Sequence, residues 1–159
     1  MLKITIIAVG KAKEKYLADG YSEYSKRLSG YCNLNVIELS PTKADESSPA
    51  SISSAIENEG DRILAKIPQR ALVLPLCIEG KQMPSTSLAE LMQSTANSGT
   101  SELCFIIGGS YGLSDRVKKM GKIKFSMSEM TFPHQLARLM LLEQIYRAFK
   151  INEGGNYHK

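Results

Sequence analysis

Strands that alternate with helices along the whole 159-residue chain predict an α/β fold, a mainly parallel sheet with helices on both faces. Three observations carry that expectation. Short apolar runs rich in β-branched residues recur; each leads into a segment with helical spacing or a helix-start signal; and no internal repeat interrupts the series.

The opening MLKITIIAVGK reads as a buried first strand over Leu2–Val9, because its apolar run is short and no small-residue cleavage site follows. From Glu14 to Tyr31, the residues Tyr16, Leu17, Tyr21, Tyr24 and Leu28 recur at helical spacing and predict an amphipathic helix. Leu34–Leu39 is the second strand. The segment SPTKADESSPAS from Ser40 is an exposed loop, and the following helix is expected over about Ser51–Ile67, with Ser51 and Ser53 as candidate N-caps.

Ala71–Leu76 is the third strand, followed by the loop CIEGKQMP and a helix over about Ser87–Ala96. Leu103–Ile107 is the fourth, ending in Gly108, Gly109, Ser110, Tyr111 and Gly112 before a short basic helix. Lys122–Phe125 is the fifth; after SMSEMTF, Pro133 opens the longest helix, which runs to about Phe149. A chain of this length builds one well-buried core, so a single domain over residues 1–159 is expected.

At 43% hydrophobic and 23% charged residues, the composition is that of an ordinary globular protein. No run approaches the roughly 18 apolar residues of a membrane-spanning helix. Cys32, Cys77 and Cys104 are odd in number, far apart and set in or beside apolar runs, so reduced thiols in the cytoplasm are expected, with no disulfide framework and no metal site. The net charge of +4 is unevenly distributed: residues 41–115 carry five Lys/Arg against nine Asp/Glu, and residues 116–159 carry nine against three. Such a basic C-terminal segment is either a solvated helix face or a surface for an acidic partner such as nucleic acid.

In parallel sheets, ligands sit beyond the carboxyl ends of the strands. Three loops leave such ends with unusual chemistry: Leu76–Met83, Gly108–Gly112 and Ser126–Phe132. They converge if their strands are neighbours. The glycine loop lacks the Gly-Lys-Ser/Thr ending of a P-loop, and its GGxxG spacing is not that of a dinucleotide site. The stretch SMSEMTFPHQ has no glycine or lysine to hold a phosphate; Met127, Met130 and Phe132 either plug the core or line an apolar slot, which with exposed backbone groups suits a purine.

VLPLCIEGK, FIIGGSYGLSD and FSMSEMTFPHQLARLMLLEQIYRAF, with the terminal NYHK, resemble the SPOUT class of RNA methyltransferases. Within it, the chain is most similar to the smallest members, which methylate a pseudouridine of large-subunit (23S) ribosomal RNA at the third ring nitrogen. The resemblance covers nearly the whole chain, and the combination of IGG-x-x-G-L-S with TFPHQLAR and EQIYRA carries it.

The resemblance implies an α/β fold with a C-terminal trefoil knot, S-adenosylmethionine as cofactor, a homodimer, and ribosomal RNA or the ribosome as partner. It places the cofactor contacts on Leu76, Gly108 and the run Met127, Ser128, Glu129, Met130, Thr131 and Phe132. Arg147, Tyr157 and His158 become the catalytic candidates, Arg147 to stabilise a developing anion or hold a phosphate and His158 as base or phosphate contact. His134 is most simply a helix-start residue, and Glu143 an intrahelical or interface partner. Lys118, Lys119, Lys122, Lys124, Arg138 and Lys150 would face RNA. The alternative is a non-catalytic ribosome- or RNA-binding factor with a vestigial pocket. The terminal INEGGNYHK, with two glycines and no apolar period, is expected to be mobile until substrate binds.

Overall fold

The computed structural model describes residues 1–159. Its elements are β1 (Leu2–Val9), α1 (Lys15–Leu28), β2 (Cys32–Leu39), α2 (Pro49–Leu64), β3 (Leu72–Gln82), α3 (Ser85–Asn97), β4 (Glu102–Ile107), α4 (Asp115–Lys118), β5 (Phe125–Ser126) and α5 (His134–Asn152). The five strands form one parallel sheet in the order β2-β1-β4-β3-β5. The expected α/β class holds.

Side chains alternate across each strand, and both faces are covered. Ile4, Ile6, Leu74, Leu103 and Phe105 point into a core shared with α1, α3 and α5. Ile7, Val9, Val73, Cys104 and Ile106 point into a smaller one closed by Ile63 of α2, Leu113 and Val117 of α4. This two-sided burial is why β1 and β4 read as near-continuous apolar runs.

Several boundaries move. The second helix begins at Pro49, and its cap is Ser48, whose hydroxyl accepts from the Ser51 amide at 3.2 Å. Neither Ser51 nor Ser53 is the cap: the Ser51 hydroxyl accepts from the Asp45 amide, and Pro49 occupies a first-turn position. Ser48→Ala should therefore lower stability by about 1 kcal/mol, read as a lower urea midpoint at unchanged slope.

The third strand runs well past Leu76, through most of the expected loop. Phe125 of β5 is opposed by both Leu76 and Lys81, so residues 77–80 bulge out of the ladder between them. Gly80 permits the return: a Cβ there would lie 2.7 Å from the Lys124 carbonyl oxygen. The same irregularity confines β5 to Phe125–Ser126, where Lys122–Phe125 was expected to be strand.

Helix α5 packs between α1 and α3, so its apolar residues spread over more than one narrow face. Leu142 and Ile145 are fully enclosed. Leu139 presses on Gly20 of α1, where a Cβ would come within 2.8 Å of a Leu139 methyl. Phe149 stacks on Tyr31 with ring centroids 5.4 Å apart. Leu136, Leu139, Tyr146 and Phe149 thus pack against the core of their own chain. The end of α5 is closed by Gly154 at φ +73, with the Gly155 amide donating to the Lys150 carbonyl and the Gly154 amide to that of Ile151.

Candidate functional site

Because β4, β3 and β5 are adjacent, the three strand-end loops do converge, and they enclose a cleft of about 680 Å³. That is ample for a nucleoside-sized ligand. Leu76 and Phe125 form the floor where β3 and β5 meet, and the bulge brings Cys77, Ile78 and Glu79 into one wall.

The glycine loop forms the second wall. The Gly112 amide donates to the Gly109 carbonyl at 3.1 Å, closing a tight turn with Ser110 and Tyr111 at its tip, and Gly112 sits at φ +85. Gly108 packs against the loop's own return, since a Cβ there would lie 2.9 Å from both the carbon and the oxygen of the Gly112 carbonyl. The glycine at 108 is thus required first by the turn itself. Behind the loop, the buried Glu59 carboxylate accepts from the Thr42 amide at 2.8 Å and stands beside Gly109.

The third wall is the segment before α5. Its shape is held internally: the Ser126 hydroxyl donates to the Ser128 carbonyl at 3.0 Å, and the Ser128 hydroxyl accepts from the Met130 amide at 3.0 Å. Met127, Met130 and Phe132 turn toward the cleft, Thr131 lines it too, and Pro133, His134 and Ala137 of the α5 start close the far side.

Of the residues expected to touch cofactor, Leu76, Gly108, Met127, Ser128, Met130, Thr131 and Phe132 come together here. Glu129 is exposed and does not line the cleft. Reading the sequence missed Glu79 and Lys118, which line it and bond to each other, Lys118 Nζ donating to Glu79 Oε1 at 2.5 Å. That bond holds the Glu79 carboxyl below its ordinary range and the Lys118 ammonium above its own. His134, read as a helix-start residue, both begins α5 and faces the cleft.

Arg147, Tyr157 and His158 also gather, but elsewhere. Arg147 pairs with Glu143 at 2.6 Å, which makes Glu143 the intrahelical partner expected of it. The Tyr157 hydroxyl donates to the same carboxylate at 3.1 Å, and the Arg147 guanidinium lies 4.7 Å from the Tyr157 ring centre. His158 Nδ1 is 3.3 Å from Arg147 Nη1. The chain end expected to be mobile is therefore docked on α5. Burial, reinforced by Tyr24 and Glu143, pushes the Tyr157 hydroxyl up to about 12. None of the three residues lines the cleft of its own chain. From Ala137 to Arg147 the helix climbs about 15 Å.

The basic surface needs one correction. Arg138 does not face solvent: it is buried, pairs with Glu38 at 2.8 Å and lies over the Tyr21 ring at 4.1 Å. Its position shares the helical stripe of Leu141, Leu142 and Ile145, the spacing that would have shown it facing inward. Lys150 is engaged by Glu153 and Tyr31, and Lys118 by Glu79. Lys119, Lys122 and Lys124 are exposed.

No helix is long and apolar enough to cross a membrane, and no group of three or more His, Cys, Asp or Glu side chains is arranged to hold a metal ion.

A family model described as "Predicted SPOUT methyltransferase" matches residues 2–158. Among curated proteins, Ribosomal RNA large subunit methyltransferase H of Latilactobacillus sakei subsp. sakei (strain 23K) is 51% identical over 159 residues, covering 99% of this chain and 100% of the relative. The protein of the same name from Clostridioides difficile (strain 630) is 51% identical and that from Streptococcus sanguinis (strain SK36) 48% identical, each with the same coverage.

Proposed function

The chain belongs to the SPOUT methyltransferase family, and from that premise we propose that it methylates the third ring nitrogen of a pseudouridine in large-subunit (23S) ribosomal RNA, using S-adenosylmethionine. The observation that carries this reading is the cleft itself, in which three strand-end loops join apolar walls to accessible backbone. The names of the full-length relatives supply the RNA class.

The residues present fit the cofactor. Leu76, Met127, Met130 and Phe132 offer apolar surface for a purine and ribose, while the 127–132 backbone apart from the engaged Ser128 carbonyl and Met130 amide is left to meet the base edge. Bound there, the sulfonium supplies an electrophilic methyl group and no metal is needed. The chain's own task is at the acceptor, because a uracil-type ring nitrogen bears a proton that must leave as the new bond forms.

Arg147 is the candidate to stabilise the anion so formed. Tyr157, with its proton held up to about 12, serves as a donor or stacking surface and not as a base. His158 is held beside Arg147, with Nδ1 3.3 Å from Arg147 Nη1, as the candidate base or phosphate contact. This cluster is remote from the cleft of its own chain, which supports a homodimer in which one subunit's terminus completes its partner's cleft. The chain then acts as one 1–159 domain in the cytoplasm, with Lys119, Lys122 and Lys124 meeting phosphates.

Light scattering at micromolar concentration should give twice the 17.5 kDa chain mass; a monomeric mass would remove the shared site. Calorimetry with S-adenosylhomocysteine tests the cofactor reading. Saturable 1:1 binding per chain is expected, and none would favour the non-catalytic RNA-binding alternative.

A further inference from the structure

We infer that Glu79 and Lys118 form a clamp for the zwitterionic aminoacyl end of the cofactor, an assignment that rests on the S-adenosylmethionine reading of the cleft. The cofactor has two chemically distinct halves. Its nucleoside is flat and largely apolar, whereas its amino-acid end carries one ammonium and one carboxylate. The cleft is divided in the same way. Leu76, Met127, Met130 and Phe132 supply apolar surface, while the lining includes a single carboxylate, Glu79, and a single ammonium, Lys118.

Those two charges sit on different elements, Glu79 on the bulge of β3 and Lys118 at the end of α4, and they meet at 2.5 Å. Neither forms another ion pair. Glu79 reaches the cleft only because residues 77–80 leave the ladder and Gly80 allows the return. The Glu79 side chain is 55% exposed and that of Lys118 22%, so the pair is wet enough to open and near enough to the cleft to be recruited. Pairs this exposed contribute little to stability, so opening one costs little.

A ligand bearing both charges can take over both partners. Its ammonium accepts the place of Lys118 beside Glu79, and its carboxylate that of Glu79 beside Lys118. Every charge remains paired throughout, which avoids the cost of leaving one uncompensated in the cleft. A ligand with only one charge, or none, gains no such exchange.

The test is calorimetry with S-adenosylhomocysteine, which keeps the aminoacyl group, and methylthioadenosine, which lacks it, on the wild-type chain, Glu79→Gln and Lys118→Met. The wild type should prefer S-adenosylhomocysteine by about tenfold or more, the scale of one charge-assisted contact. Both variants should lose most of that preference while methylthioadenosine affinity stays within about threefold, which also reports an intact nucleoside site. An unchanged preference in either variant overturns the clamp, as does an equal weakening of both ligands, which would move the pair's contact to the nucleoside. If neither ligand binds the wild type, the cofactor reading itself fails and the clamp with it.

Discussion

Gly108→Val should weaken S-adenosylhomocysteine binding by about a hundredfold or more, equivalent to roughly 2.7 kcal/mol, while leaving the chain folded. The cause lies within the loop. A Cβ at 108 would meet the Gly112 carbonyl at 2.9 Å and a Leu113 methyl at 3.0 Å, and a β-branched side chain adds two further carbons. Backbone cannot yield as a side-chain tip can. Leu113 and Ser114 are buried just beyond, so the return of the turn is pinned, and the loop that must give way is the one that lines the cleft. Residue 108 is itself only partly buried, and the packing of β4 ends at Ile107, so the melting transition should stay cooperative. Gly112→Ala is the informative contrast. It meets nothing within 4 Å but holds φ +85, so its cost is backbone strain of about 1–2 kcal/mol and its effect on binding should be smaller. Calorimetry with a thermal melt for each variant checks both; normal binding by Gly108→Val would place the ligand elsewhere.

Deleting Asn156–Lys159 should lower methylation of ribosomes by at least about tenfold, a barrier change of roughly 1.4 kcal/mol, with cofactor affinity within a few-fold of wild type. The deletion removes Tyr157 and His158, which touch Arg147, Glu143 and Tyr146 and nothing in the cleft of their own chain. Binding of the cofactor is thereby separated from presentation of the RNA. Tyr157 covers one face of the guanidinium and competes for Glu143, so its loss leaves Arg147 held more tightly by that carboxylate and less available to a developing anion. An aromatic ring and an imidazole at a chain end also suit stacking on an unpaired base and contact with a phosphate. Single-turnover methylation by the truncated protein provides the readout. Unchanged turnover would leave Arg147 as the main catalytic candidate.

The strand-helix alternation was legible because burial on both sheet faces demands continuous apolar strands, and β1 was read to the residue. The convergence of the loops was legible only as a condition, since strand order is set by tertiary pairing that no local pattern encodes. The bulge at 77–80 was not legible for the same reason: it exists because Leu76 and Lys81 both oppose Phe125. With it went Glu79, whose place in the cleft depends on a broken ladder. Arg138 was misjudged for a simpler cause, a basic residue counted by charge when its helical position aligned it with Leu141, Leu142 and Ile145. The family motifs pointed to Leu76, Gly108 and the 127–132 segment, which line the cleft apart from Glu129, yet Gly108 is required first by the turn itself.

Methyl transfer to ribosomal RNA is tested most directly by nucleoside mass spectrometry of 23S RNA from cells with and without the gene. The expected result is a single N3-methylpseudouridine present in the first, absent from the second, and restored by the intact chain but not by Gly108→Val. Identical modification in both RNAs would contradict the methyltransferase assignment.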